Sequence, residues 1–266
     1  MAHDLRVSGD HLHDRHDRRY PHLTAPQVQA ARVDLAASFR MAARLGLSEG
    51  ICNHFSALVP GYPELFLVNP YGLAFAEITA SSLLVCDFDG NVIMGDGKPE
   101  ATAFYIHARL HLHKPRAVAA FHTHMPNATA LAMLEGQPLA WAGQTALKFY
   151  GRVAVDKDYN GLALDNREGD RIAASMGQAD IVFLKNHGVM VTAPSIAQAW
   201  DDVYYLERAA EVQLKAMSSG RPLKVIDQEV LLRTARQMSE EDAESARLHL
   251  ESVKRVLART EPDFAD

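Results

Sequence analysis

The sequence predicts a three-layer α/β/α domain built on a mostly antiparallel central sheet. Two observations carry this fold class. Apolar residues at helical spacing alternate along the chain with short apolar runs that are typical of buried strands. Some of these runs are joined by tight turns, such as Asp89-Gly90, which predicts a β-hairpin over 83–94. Hairpins make antiparallel neighbours, and the flanking helices need an apolar surface to cover, so we expect helices on both faces of the sheet.

The first helix is expected to begin near residue 24, with Thr24 as N-cap and Pro26 in the first turn. Gly46 ends its apolar pattern, and an apolar run over 65–68 predicts a strand. Asn127 is a candidate cap for a later helix. After the hairpin we expect, in order, a helix over 101–113, a strand over 117–121, helices over 127–134 and 170–176, strands over 181–184 and 189–191, and helices over 194–217 and 239–258.

Composition limits the classes of partner. The 266 residues are 48% hydrophobic and 23% charged, which is ordinary for a globular protein, and the net charge is −6. We therefore expect a small-molecule substrate and neither a nucleic acid nor a membrane as partner. Cys52 and Cys86 are too few for a disulfide framework, no secretory signal is visible, and no apolar run approaches the roughly 20 residues that span a bilayer, so a cytoplasmic location is expected.

Domain organisation is expected to be simple. Residues 1–24 form a polar, histidine-rich arm with little to bury. Residues 25–266 are expected to form a single domain, because no linker rich in Pro, Gly or Ser and no repeat of 20–50 residues interrupts them.

The strongest chemical signal is a pair of histidines at the end of an apolar strand. His122 and His124 are two residues apart, so on a strand their imidazoles point the same way. His187 follows a second apolar strand at a tight turn and is the natural third ligand. Imidazole suits several divalent metals, so the pattern predicts a site for one Zn²⁺, Mn²⁺ or Fe²⁺ per subunit without selecting among them.

Three neutral imidazoles leave such an ion with its full positive charge and with unfilled coordination positions. The ion can then act as a Lewis acid that polarises a carbonyl and holds the enolate left when a neighbouring C–C bond breaks. An open Fe²⁺ suits O₂ as well, so an oxygenase stays open, as does a structural or incidental role for the histidines. The sequence has no Walker loop and no Gly-x-Gly-x-x-Gly motif to indicate another chemistry.

Several motifs, taken together in order, resemble the class II aldolase/adducin family from about residue 27 to 218. They are Asn53-His-Phe-Ser56, Asn69-Pro-Tyr-Gly72, Asp87-x-Asp-Gly90-Asn-Val, Gly97-Lys-Pro, Phe104-x-Ile-His107, His122-Thr-His124 and Leu184-Lys-Asn-His187-Gly188. The resemblance implies the three-layer fold, a homotetramer with active sites between subunits, and His122, His124 and His187 as metal ligands.

Departures from the sugar-phosphate aldolases of this family change the expected substrate. Their Ser-Ser-Glu before the second helix is replaced by Ala101-Thr102-Ala103, which leaves Glu100 as the only nearby acid. Their phosphate loop is replaced by a segment that carries Tyr71. The pattern looks more like the non-aldolase branch, which includes adducin head domains, metal-dependent decarboxylases and an iron-dependent oxygenase. We therefore expect an unphosphorylated carboxylate, carbonyl or hydroxyaryl substrate.

The sequence interpretation is thus a metal-dependent carbon–carbon lyase, with decarboxylation ranked slightly above aldol cleavage. Glu100, His54 and His107 are the candidate catalytic residues for proton handling. The candidate substrate-binding residues are Asn53, Tyr71 and Lys185. The alternatives are a non-haem iron oxygenase on the same scaffold and an adducin-like module without catalytic activity.

Overall fold

The computed structural model describes residues 19–266. Most of the polar arm expected over 1–24 therefore lies outside the described residues. Its last part packs on the domain: Tyr20 meets Tyr62 edge to face with ring centroids 5.4 Å apart, and Leu23 is buried.

A single eight-stranded sheet forms the middle layer. In chain order its strands are β1 His54–Val59, β2 Tyr62–Val68, β3 Leu84–Asp87, β4 Val92–Met94, β5 Ala119–Thr123, β6 Val153–Asp156, β7 Ile181–Leu184 and β8 Gly188–Ala193. Their order in space is β4-β3-β2-β1-β5-β8-β7-β6. Only β6 and β7 are parallel, because a helix lies between them in the chain. The expected mostly antiparallel sheet is confirmed.

Helices cover both faces of the sheet, which confirms the three-layer fold class. They are α1 Pro26–Arg44, α2 Ala101–His113, α3 Pro126–Ala132, α4 Asn166–Ser175, α5 Ile196–Met217 and α6 Gln228–Thr260. One apolar cluster joins α2 and α4 to β5, β7 and β8, and a larger one joins the other four helices to the opposite face. No helix within 19–266 has the length and apolar character needed to cross a membrane.

Some element boundaries differ from the expectation. Ala25 and Met125, rather than Thr24 and Asn127, precede α1 and α3, because a proline occupies the first position of each helix. Asn127 instead donates from its backbone and its side-chain amide to Glu207 on α5. Strands β1 and β6 were missed, α4 begins four residues earlier than expected, and α6 begins eleven residues earlier.

The strand alternation of β1 and β5 places a polar strip against α2. Phe55 and Phe121 face the larger helix layer, where their rings stack with centroids 4.0 Å apart. Their neighbours in the sequence, His54 and His122, are register partners and point to the opposite face. The middle of the sheet is therefore apolar on one side and histidine-bearing on the other.

Candidate metal centre

Three histidines from two neighbouring strand ends converge. His122 lies in β5, His124 follows that strand, and His187 occupies the turn between β7 and β8. One ring nitrogen of each lies within 4.8 Å of one from each of the others. The Nε2 atoms of His122 and His124 are 3.1 Å apart. The pair and the third histidine lie close together because β5 and β8 are adjacent in the sheet.

Hydrogen bonds on the outer ring edges fix which nitrogens face inward. Nδ1 of His122 lies 2.9 Å from the Val189 carbonyl, which only accepts, so this nitrogen carries the proton and Nε2 keeps its lone pair. Nδ1 of His124 lies 2.5 Å from a carboxylate oxygen of Glu49, so this nitrogen also carries the proton and Nε2 of His124 keeps its lone pair. Carbonyl and carboxylate partners of this kind orient histidine ligands in metal proteins.

The turn that carries His187 requires its two neighbours. Asn186 has a φ of 57°, a left-handed conformation that asparagine tolerates. A Cβ on Gly188 would lie 2.7 Å from Cδ2 of His124 and 2.8 Å from the Thr123 carbonyl oxygen. Only glycine therefore allows the turn to approach the end of β5 this closely, which explains the Asn-His-Gly sequence.

Burial favours the neutral form of His122 and His187. It is the main reason that the pKa of His122 lies well below its usual value, and the neighbouring histidines lower that pKa further. The pKa of His187 is lowered to about 4, chiefly by burial and then by His124. Neutral rings offer the lone pairs that a cation needs.

The spacing of the nitrogens fits one ion. Two nitrogens that are each about 2.1 Å from an ion, at an angle of 90–110°, lie about 3.0 to 3.4 Å apart. The 3.1 Å separation between the two Nε2 atoms falls in this range. The three histidines therefore suit a divalent cation and leave part of its coordination sphere free for a ligand.

A cleft of about 330 Å³ opens onto His124 and His187. Its wall is partly apolar and partly charged. Arg171 holds Asp156 through two hydrogen bonds of 2.7 and 2.8 Å and also bonds Glu168. The other lining side chains include Glu49, Thr102, Ile106, Asp158, Tyr159, Leu162, Ile172 and Lys185.

Two residues expected at the site are not among the described residues that line this cleft. The Glu100 carboxylate caps α2: it accepts the backbone N–H of Ala103 at 2.9 Å and the hydroxyl of Thr102. Tyr71 is 51% exposed. Neither side chain lines the cleft in the described part of the chain. Lys185 does line it, but its Nζ donates to the carbonyls of Leu134 and Gly136, so its charge is directed away from the histidines.

Three other candidates lie behind the ligands. The Oδ1 atom of Asn53 accepts the backbone N–H groups of Glu49 at 2.7 Å and of His124 at 3.4 Å, so it ties those segments together. His54 is buried with its ring centroid 4.8 Å from that of His122. His107 is fully buried, and both of its ring nitrogens are hydrogen-bonded, to His54 and to Ser56.

Sequence reasoning missed Glu49. It precedes His124 by 75 residues and lies in a short loop after α1, so no local pattern indicates the contact. Ser56 was visible only as part of a motif.

A group of three aspartates is a second cluster of possible metal ligands. The carboxylate oxygens of Asp201, Asp202 and Asp242 lie within 4.8 Å of one another. That group already holds a cation, the ammonium of Lys148.

Comparison with known proteins now gives the class. Residues 33–214 match the family model described as Class II Aldolase and Adducin N-terminal domain, so the chain belongs to that family. Decarboxylase NovR of Streptomyces niveus is 30% identical over 206 residues, which are 76% of this chain and 75% of that protein.

Two solved structures are similar over most of the chain. An aldolase II superfamily protein from Pseudomonas syringae has a TM-score of 0.85 at 33% identity, covering 91% of this chain and 97% of that one. The L-fuculose 1-phosphate aldolase from Glaciozyma antarctica PI12 has a TM-score of 0.80 at 27% identity, with 91% and 94% covered. The family resemblance of the motifs is thereby confirmed.

Proposed function

We propose that this protein is a divalent-metal-dependent lyase. It cleaves a C–C bond, by decarboxylation or retro-aldol cleavage, in an unphosphorylated substrate that carries a carboxylate, carbonyl or hydroxyaryl group. The observation that carries the proposal is the convergence of ring nitrogens from His122, His124 and His187, with the lone pairs of the first two turned inward. When bound, a Zn²⁺, Mn²⁺ or Fe²⁺ ion supplies Lewis-acid polarisation of a substrate oxygen and charge for the electrons released by bond cleavage.

The chain's own residues prepare the ligands. The Val189 carbonyl holds the ring of His122 and the Glu49 carboxylate holds that of His124, so neither ring can turn its protonated edge inward without losing a hydrogen bond. Asn53 joins the backbones of these two segments. We therefore assign Asn53 and Glu49 to positioning the ligands, and we leave Glu100 with the helix cap that it makes.

The charge of the cleft favours an unphosphorylated substrate. The two cationic side chains among its described lining residues are already engaged: Arg171 by Asp156 and Glu168, and Lys185 by backbone carbonyls. A phosphate dianion would meet carboxylates here, and neither cationic side chain among the described lining residues is free to pair with it. The relationship to a decarboxylase supports ranking decarboxylation above aldol cleavage.

Metal analysis tests the proposal. We expect purified protein to carry about one Zn, Mn or Fe per chain, and His122→Ala to lose both the metal and the turnover. His113→Ala is the matched control, because His113 lies on the exposed side of α2 with Asp170 as its partner. Metal content and activity that survive in His122→Ala would contradict the proposed function.

Two alternative functions, an iron oxygenase and an adducin-like module without catalysis, can be distinguished from a lyase by experiment. Glu49 bonds His124 instead of joining the ligand group, and three imidazoles without a carboxylate also suit an iron oxygenase. Assays without oxygen separate the two, because a lyase keeps its activity under anaerobic conditions. An adducin-like module without catalysis would contain Zn, Mn and Fe well below one per chain.

We further propose, from the family resemblance, that the protein is a cytoplasmic homotetramer. Light scattering coupled to size exclusion tests the assembly: for a chain of 29.3 kDa, the measured mass should be about four times that value. A stable monomer would contradict the tetramer without affecting the metal site.

A further inference from the structure

The cleft beside the candidate metal centre has an apolar floor, formed by Ile106 of α2, Ile172 of α4 and Leu184 of β7. All three residues are almost fully buried, and they belong to the apolar cluster that joins these helices to the sheet. The floor is therefore the outer edge of a packed core, whose other contacts fix its shape. An apolar group that covers this floor removes apolar surface from water, which favours binding.

The loop between β6 and α4 also borders the cleft. Tyr159, Leu162 and Leu164 in this loop are 53%, 70% and 58% exposed. Ala163, between the two leucines, is buried in the same cluster as the apolar floor, so it holds the loop against the domain. Tyr159 and Leu162 are among the described residues that line the cleft, and Leu164 is not. Exposed apolar side chains are common on surfaces, but those that border a cavity beside a metal centre are positioned to contact a ligand.

Tyr159 connects this apolar region to the candidate metal centre. The centroid of its ring lies 6.2 Å from that of the His187 ring, with 59° between the ring planes. A ligand that binds an ion at His187 therefore has Tyr159 as a neighbour. The cleft volume of about 330 Å³ is near the lower end of the range for small-molecule sites, which limits the apolar part of such a ligand to about one ring.

The charges around the cleft disfavour a second anionic group on the ligand. Carboxylates line the cleft at Glu49, Asp156, Asp158 and Glu168. Arg171 is engaged by Asp156 and Glu168, and the side chain of Asp158 has no ion-pair partner among residues 19–266. An anionic substituent beyond the metal-binding end would therefore meet negative charge that no nearby cation offsets.

We propose that the cleft binds an uncharged apolar group of the substrate, about the size of a phenyl ring, between the apolar floor and Leu162, while oxygen atoms at the other end of the substrate bind the metal. This inference rests on the proposed function. It selects, among the substrates considered there, those that combine one metal-binding end with an apolar ring-sized group and no second anion.

Two probes with the same metal-binding group test the apolar part. Acetohydroxamate and benzohydroxamate offer identical oxygens to zinc-loaded protein and differ in carrying a methyl or a phenyl group. Calorimetry should show benzohydroxamate binding about 10- to 100-fold more tightly, as expected when a ring is buried. Equal affinities would overturn the inference.

The loop supplies a matched pair of variants that separates contact in the cleft from general hydrophobicity. Leu162→Ser should lower the preference for benzohydroxamate by about threefold or more, because it removes apolar surface that borders the ligand. Leu164→Ser, a change of the same kind at an exposed leucine two residues away, should keep the full preference. An equal effect of the two variants would overturn the role of Leu162.

A further pair of probes tests the charge of the group. Benzohydroxamates with a 4-carboxylate or a 4-carboxamide have nearly the same size, and only the first is anionic. We expect the carboxylate to bind at least about threefold more weakly at low salt, because it faces Asp158 and its neighbours. Equal or tighter binding of the carboxylate would overturn the preference for an uncharged group.

One measurement requires no metal. Benzyl alcohol titrated into the full chain after removal of metal should shift the methyl NMR resonances of Ile172 and Leu162 and leave those of Leu164 unchanged. Unshifted resonances at Ile172 and Leu162 would overturn the inference even in a protein that binds zinc. Conversely, shifts in a protein that never binds zinc would support the apolar site and contradict only the proposed function.

Discussion

The carboxylate of Glu49 lies 2.5 Å from Nδ1 of His124, on the ring edge opposite the Nε2 that faces His122. The Glu49 side chain is 69% exposed, so its contribution to stability is small, yet its position decides which nitrogen of a candidate ligand is protonated. The loop before β1 thus contributes to a centre whose three candidate ligands lie in β5, directly after β5, and in the turn between β7 and β8.

Removing this carboxylate should weaken metal binding. We expect Glu49→Ala to lower zinc affinity by about 10- to 100-fold, the range found for partners of metal-bound histidines, and Glu49→Gln to lower it less because its amide oxygen still accepts. Competition with a chromophoric chelator measures the affinity. Glu64→Gln, at an exposed position of β2, is the control. Unchanged zinc affinity in Glu49→Ala would show that the contact has no influence on the ligand.

Adding one methyl group at Gly188 should disturb the centre. The new Cβ would lie 2.7 Å from Cδ2 of His124 and 2.8 Å from a backbone oxygen, so the end of β5 must shift. We expect Gly188→Ala to lose about 1–3 kcal/mol of unfolding free energy and most of its metal. At Gly143 a Cβ meets nothing within 4 Å and φ is −115°, so Gly143→Ala should leave both unchanged. Urea unfolding and metal analysis provide the measurements.

Acid should destabilise the protein through its buried histidines. Burial lowers the pKa of His111 in the folded protein to about 4, against the ordinary histidine value of 6.5. Between these values the unfolded chain binds the extra proton, so the free energy of unfolding rises with pH up to about 6.5 and is flat above it. This residue alone accounts for roughly 3 kcal/mol across the window.

Unfolding by urea at a series of pH values checks this expectation. Because a variant without the histidine cannot gain that proton, His111→Gln should have a shallower slope between pH 4 and 6.5, even though it is less stable overall. A slope equal to that of the parent protein would show that His111 does not carry the dependence.

The charge cluster around Lys148 should matter for stability alone. Its ammonium lies 3.0 Å from Asp201 and 3.2 Å from Asp202, both buried, and also bonds Asp242. Lys148→Met leaves these carboxylates without that cation, which we expect to cost about 3–5 kcal/mol. Chemical denaturation measures the loss, while the metal content per folded chain should stay the same. Reduced metal content would indicate an unexpected link between the two clusters.

Chelation should lower the melting temperature. A ligand that binds only the folded state adds about 2.7 kcal/mol at a hundredfold excess over its dissociation constant. We expect dialysis against EDTA to lower Tm and added Zn²⁺ to restore it. His124→Ala should respond to neither treatment, because it lacks one of the three nitrogens. A full zinc response in this variant would place the ion elsewhere.

Local sequence patterns were reliable where a single segment decides its own structure. The helix over 101–113 has the expected bounds, and the Asp89-Gly90 hairpin forms between β3 and β4. The i, i+2 spacing of His122 and His124 predicted that both rings point the same way, and their Nε2 atoms lie 3.1 Å apart although His124 follows the last residue of β5.

Other features depended on which segments become neighbours. The sequence offered Glu100 as the acid near the centre, but its side chain lies within reach of the free N–H groups of α2 and caps them. Glu49, far along the chain from His124, is brought to that ring by the contact between the loop after α1 and the end of β5.

The sequence alone therefore determined the fold class, the family and the choice of His122, His124 and His187 as candidate metal ligands. Hydrophobic periodicity, turn chemistry and motif order are properties of consecutive residues, so they can be read without the tertiary structure. Only the tertiary structure decided which nitrogens of His122 and His124 face inward and that Val189 and Glu49 orient these two rings. Those properties depend on hydrogen bonds between distant segments, and no local pattern records the order of strands that brings such segments together.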